Sequence, residues 1–243
     1  MNIVKKVDIG NVREVNQDYA GYKKISEDEA FLVVCDGMGG HQAGEVASSI
    51  AGDYILKHCT IHGDFSCEED IKAFMYQLIN EANREIYGKS LTDSSLRGMG
   101  TTVVLAYIKK DTVYVSHVGD SRAYLIGDSI EQITVDDTLV NALVRNGTIT
   151  LEEAKYHPKK NILLQAVGVS NMIKVSFYVR DIKDKVLLIC SDGLSNSLSD
   201  NHMFDIIHNY SFIDEMANQL LNQAKSLGGY DNICFVLSCK EEI

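Results

Sequence analysis

The sequence predicts an α+β fold in which a large antiparallel sheet system is covered by helices. Several segments rich in Val, Ile, Tyr and Phe read as strands. Two long segments between the second and third of these carry apolar residues at helical spacing. Strict alternation of strand and helix is absent, which argues against a doubly wound parallel sheet.

The strand segments are, in order, "IVKKVDIG", "FLVVCD", "TTVVLAYIK", "TVYVSHVG", "RAYLIG", "IKVSFYVRDI", "KVLLICSD" and "NICFVLSCK". Ile108 and Val113 are joined by "KKDT", a connection tight enough for an antiparallel pair. In residues 44–59, Val46, Ile50 and Tyr54 share a stripe, with Ala47, Ala51 and Ile55 beside it. In residues 68–87, Ile71, Phe74, Met75, Leu78, Ile79, Ala82 and Ile86 recur at helical spacing. A third helix is read in "SFIDEMANQLLNQAKSLGG", whose closing glycines suit a C-terminal cap. These stripes are core faces.

Hydrophobic residues make up 45% of the 243 residues, enough for a sizeable core. One proline, no low-complexity tract and no repeat leave nothing that reads as a linker, so residues 1–243 are read as one domain. The net charge of −11 disfavours a general nucleic-acid binder and permits cation binding. No apolar run reaches bilayer length, and the N-terminus lacks the apolar core of a signal peptide. A cytoplasmic protein without membrane insertion is expected. The six cysteines form no C-x-x-C pair and are read as buried free thiols.

Aspartates recur at the ends of the apolar runs. "VVCDGMGGH" puts Asp36 before Gly37, "KVLLICSDG" puts Asp192 before Gly193, and "VYVSHVGDSR" runs to Asp120. "GGYDNICFV" supplies Asp231, and "VREVNQD" supplies Arg13 and Asp18. A single aspartate of this kind is commonly a turn or cap residue. Several together, on strands of packed antiparallel sheets, would collect along a shared edge. Their carboxylates would repel, and their pKa values would rise, unless a cation neutralised them. Hard oxygen ligands select Mg²⁺ or Mn²⁺, and no H-E-x-x-H motif or cysteine pair offers a zinc site. Gly37 would let the backbone turn and bring a carbonyl to the metal. Residues 37–44 are not a P-loop, since no G-K-[ST] follows, and Gln42 breaks a dinucleotide fingerprint. A G-x-S-x-G elbow is also absent.

"DIGNVREVNQD", "VVCDGMGGHQAGE", "GMGTT", "HVGDSRAYL", "LVNALVRNGTIT", "HPKKNILLQAVG", "CSDGLSN" and "YDNICFV" follow one another in this order. Together they resemble the bacterial metal-dependent protein phosphatases of the PPM (type 2C) family, from about residue 7 to 239. The resemblance implies a four-layer α/β/β/α sandwich, with two central antiparallel sheets flanked by helices. It implies hydrolysis of phosphoserine and phosphothreonine in proteins by metal-activated water, reversing a bacterial Ser/Thr kinase, with phosphorylated proteins, the kinase included, as partners. The cofactor would be two Mn²⁺ or Mg²⁺ ions with a weaker third, and the chain would be a monomer. Asp36 would bridge two ions, the Gly37 carbonyl would bind one, and Asp192 and Asp231 would complete the other. Asp18 would support the site directly or through water. Asp120, with Asp192, matches the third site, and Arg13 matches the arginine that grips the phosphate.

Two positions depart from the pattern. Met38 stands where animal members carry a histidine often assigned as the general acid; His41 is an alternative candidate acid, or a loop histidine with a structural role. Asn196 replaces an aspartate used at the third metal, and a neutral amide is the poorer ligand. Residues 139–168 match the family's variable flap, in which Lys159 and Lys160 could meet acidic substrate or simply be solvated. Two other functions share this chemistry: a non-catalytic phosphoprotein-binding module, or a phosphoesterase for one dedicated regulator or a small phosphate ester.

Overall fold

From the N-terminus the chain runs β1 (Asn2–Asp8), β2 (Asp18–Ser26), β3 (Glu29–Met38), α1 (Ala43–His58), α2 (Glu68–Thr92), a 3₁₀ turn (Ser94–Leu96) and β4 (Gly100–Thr101). It continues through β5 (Val103–Lys109), β6 (Thr112–Val118), β7 (Arg122–Ile126), β8 (Ile130–Gln132), α3 (Leu139–Arg145), α4 (Leu151–Tyr156) and β9 (Ser176–Asp181). It ends with β10 (Val186–Cys190), α5 (Asp192–Ser195), α6 (Asp200–Asn209), α7 (Ile213–Ser226) and β11 (Ile233–Cys239). This computed structural model describes residues 1–40, 42–60 and 65–240, so His41 lies outside the described residues.

The strands form two sheets, ordered β1-β11-β10-β7-β8 and β2-β3-β5-β6-β9, with β4 paired to the far end of β3. Every pairing between named strands is antiparallel. The "KKDT" connection joins β5 to β6, with Ile108 opposite Val113.

Alternation along the strands sorts their side chains into layers. In β3, Leu32 and Val34 join Val104, Leu125, Leu187, Ile189 and Val236 between the two sheets. Phe31, Val33 and Cys35 point the other way and pack with Ala47, Ile55, Met75 and Ile79 of α1 and α2. On the far side, Tyr124, Leu188, Phe235 and Leu237 meet Met203, Ile207, Met216 and Leu220 of α6 and α7. The result is the expected α/β/β/α sandwich. Small residues in α1 let it approach closely: a Cβ at Gly52 would lie 2.1 Å from the Tyr19 ring.

Some elements escape the sequence pattern. β2, "DYAGYKKIS", is an edge strand whose second half is mostly exposed, so its apolar alternation is weak. The helix α6 buries only Met203 and Ile207, a single i, i+4 pair. In α2 the helix runs past the exposed Gly88 to Thr92, because packing outweighs the roughly 1 kcal/mol that a glycine costs a helix. Five of the six cysteines are buried and free as expected, but Cys67 is exposed, since it caps α2 outside the core.

Candidate active site

Strand parity carries the site as well as the core. Asp18 lies two residues before Ala20, and Asp36 two after Val34, both on the inter-sheet face. The register sets Asp18 directly opposite Asp36 on adjacent strands. Like charges so placed repel. Asp36 is not a strand terminus: β3 continues through Gly37, opposite Thr101, and Met38, opposite Gly100.

The backbone at Asp36 is held from β4 and its sequel. Its N–H donates to Thr102 Oγ1 at 2.9 Å. Its carbonyl accepts from the Thr102 N–H and from Thr101 Oγ1, both at 2.9 Å. Gly37 is required by close backbone approach. A Cβ there would lie 2.1 Å from the Gly44 carbonyl oxygen and 2.4 Å from that of Gln17.

The other sheet delivers the remaining acids. Asp192 is the first residue of α5, not the end of β10. One turn later, Asn196 Nδ2 donates to Asp192 Oδ2 at 3.1 Å. Ser191 ties the sheets together: its hydroxyl donates to Asp18 Oδ2 at 2.7 Å and accepts the Cys234 N–H at 3.0 Å. Asp120 sits in the crossover from β6 to β7. Asp231 precedes β11, accepting from the Asn232 N–H at 2.8 Å and from Arg13 Nη2 at 2.8 Å. Asn232 in turn staples the 9–17 segment, donating to the carbonyls of Ile9 (3.0 Å) and Val15 (3.1 Å) and accepting from the Gln17 N–H (2.9 Å).

The electrostatics couple these acids to one another. Burial, then repulsion from Asp18, Asp192 and Asp120, holds the Asp36 carboxyl well above the usual carboxylate range. Burial pushes Asp18 up to about 7 despite the bond from Ser191. Asp120 is also pushed up to about 7, by burial and then by Asp192 and Asp136. Asp192 is raised by burial and by Asp231, while a hydrogen bond from Asp36 and the charges of Arg122 and Arg13 oppose the rise. The neighbouring guanidiniums are already engaged. Arg13 is paired with Asp231, and Arg122 grips Asp136 through Nη2 (2.7 Å) and Nε (3.0 Å).

The 139–168 segment is rooted beside this cluster. Thr101 pairs with both Gly37 and Val167, and Thr138 bridges Leu163. α4 opens on a capping box between Thr150 and Glu153. Lys159 and Lys160 are exposed.

A family model described as protein phosphatase 2C matches residues 11–228. The chain belongs to the protein phosphatase 2C family. The serine/threonine phosphatase stp of Listeria welshimeri is 37% identical, with 96% of this chain and 93% of that protein covered. A crystal structure of a bacterial serine phosphatase superposes with a TM-score of 0.92 at 33% identity, covering 100% of this chain and 99% of the other. The catalytic domain of the serine/threonine protein phosphatase PstP, in complex with two manganese ions, superposes at 0.82 and 31% identity, covering 97% and 96%. Family membership accounts for a protein phosphatase fold of this shape.

The fold thus gathers Arg13, Asp18, Asp36, Asp120, Asp192 and Asp231, drawn from both sheets. Ser191, Asn232 and the Thr101–Thr102 pair, which position the acids, are not legible in the sequence as site residues: each lies inside one of the quoted motifs, but polar residues beside an aspartate carry no periodic signal of their own.

Proposed function

We propose that the chain is a metal-dependent phosphatase that removes phosphate from phosphoserine and phosphothreonine in proteins, including a Ser/Thr kinase that it opposes. The observation that carries this reading is the cross-strand Asp18–Asp36 pair, with Asp192 and Asp120 facing it. Half-buried carboxylates so arranged, with Arg122 committed to Asp136, fit divalent cations. Family membership and the manganese-bound relative support that fit.

Asp36, Asp192, Asp231 and the Gly37 carbonyl would hold two Mn²⁺ or Mg²⁺ ions, with Asp18 supporting them and Asp120 at a weaker third position. Among the described residues no three His, Cys, Asp or Glu side chains stand as a ready ligand set. Asp231 is turned to Arg13 and Asn232, so it must rotate to join the acids. That rotation would free Arg13. Asn196 donates to Asp192 where an aspartate would repel it, which weakens the third position further.

When bound, the ions supply an acidified water as nucleophile and neutralise the phosphoryl oxygens. Arg13 is half-exposed and carries a planar fork of donors, only one of which is committed to Asp231. It would hold two phosphate oxygens and orient phosphorus for in-line attack. Ser191 and Asn232 keep Asp18 and the Arg13 segment in place.

The test is phosphate release from a phosphothreonine peptide with Mn²⁺. It is expected to stop in EDTA and to fall at least ~10³-fold in Asp192→Ala. Full activity in EDTA would refute the reading.

A further inference from the structure

Tyr230 is 72% exposed. Its ring lies over Gly228, where a Cβ would come within 2.2 Å of the ring. Gly228 has φ +130°, a conformation that L side chains rarely adopt, so the backbone forms a floor under the ring. The loop is tied to the N-terminal segment. The Asn11 N–H donates to the Gly229 carbonyl at 2.8 Å, and Asn11 Nδ2 donates to the carbonyls of Lys225 (2.8 Å) and Gly228 (3.1 Å). One residue beyond Tyr230, Asp231 pairs with Arg13 at 2.8 Å. Val12, between the Asn11 and Arg13 ties, is 60% exposed. Two bare apolar side chains thus each directly precede one partner of the ion pair. An aromatic that is already fixed loses little further freedom when something covers its open face, which suits it to be a contact residue.

Given the phosphatase reading above, we propose that Tyr230 and Val12 form an apolar platform for the side chain that flanks the phosphorylated residue of a protein substrate. The occupant is an extended phosphoprotein segment with a bulky apolar residue close to its phosphoserine or phosphothreonine. Charge complementarity sets the register, since Arg13 takes the phosphate. An extended chain advances about 3.3 Å per residue, so the positions to test are the two on either side of the phosphate. The platform is continuous with the catalytic edge. Tyr230 orients substrate and takes no part in bond breaking.

The experiment uses the full chain loaded with Mn²⁺ and phosphothreonine peptides carrying Leu or Ser at each of the two positions on either side. p-Nitrophenyl phosphate, which has no flanking residues, is the control. Wild type is expected to favour Leu over Ser at one position by roughly tenfold in kcat/KM. Tyr230→Ser combined with Val12→Ser should erase that preference, Tyr230→Phe should keep it, and p-nitrophenyl phosphate turnover should be the same in all. No preference in wild type, or one that survives the double substitution, would overturn the platform while leaving the phosphatase reading intact. An equal fall for peptide and p-nitrophenyl phosphate would also overturn it, by marking a structural role. Absence of any turnover in wild type would overturn both.

Discussion

Asp36 shows how one residue's chemistry is set by its neighbours. It faces Asp18 across the strands, and burial together with the charges of Asp18, Asp192 and Asp120 holds its carboxyl well above the usual range. Asp36→Asn keeps the shape and removes the charge. Phosphate release is expected to fall at least ~10³-fold, while the chelated protein unfolds a few degrees higher than wild type. Thermal melts in EDTA check this; a lower midpoint would mean that the acid cluster is not under repulsion. Arg13 is the counterpart. A lysine keeps the charge but not the fork, so Arg13→Lys should raise KM for a phosphopeptide about tenfold. Steady-state kinetics with an unchanged KM would remove Arg13 from phosphate binding.

At the scale of elements, β3 is the part on which the site depends. Its continuous apolar run was legible from residues 31–35, and once it is a strand its parity places Asp36 with Leu32 and Val34 on the inter-sheet face. The continuation through Gly37 to Met38 was not legible, because Asp-Gly also signals a turn. β2, an edge strand with a polar end, carries no clear strand pattern, so the register that sets Asp18 opposite Asp36 was not legible either. Gly37 is the tightest point of this element. Gly37→Ala would push a methyl into the Gly44 and Gln17 carbonyls, and the unfolding midpoint should drop by about 5 °C or more. A midpoint within a degree of wild type would show that α1 yields easily.

For the whole molecule, stability and metal binding are opposed through pH. Asp18 and Asp120 are raised to about 7 in the folded chain, against about 3.8 for an ordinary aspartate. Between those values the folded state binds more protons than the unfolded one. The contribution of these groups is therefore full below about pH 4 and is lost as pH rises through about 7. Without metal, the midpoint should fall as pH goes from 5 to 7.5. Added Mn²⁺ should raise it, and more at pH 7.5 than at pH 5, because the ionised acids are its ligands. A flat metal-free profile would argue against a strained acid cluster.

The sequence alone determined an antiparallel sheet system covered by helices and the identity of the acidic residues, while the sandwich itself came from the resemblance of its motifs to a known family. The first two follow from local periodicity and from aspartates placed beside apolar runs, which need no knowledge of distant contacts. Tertiary structure decided which acids face each other, that Asp231 is held by Arg13, that Asn196 donates to Asp192, and that Ser191 bridges the sheets. These are contacts between residues distant in the chain or set by a turn of helix. Only register and packing bring such groups within a few ångströms, the range over which charge and hydrogen bonding act.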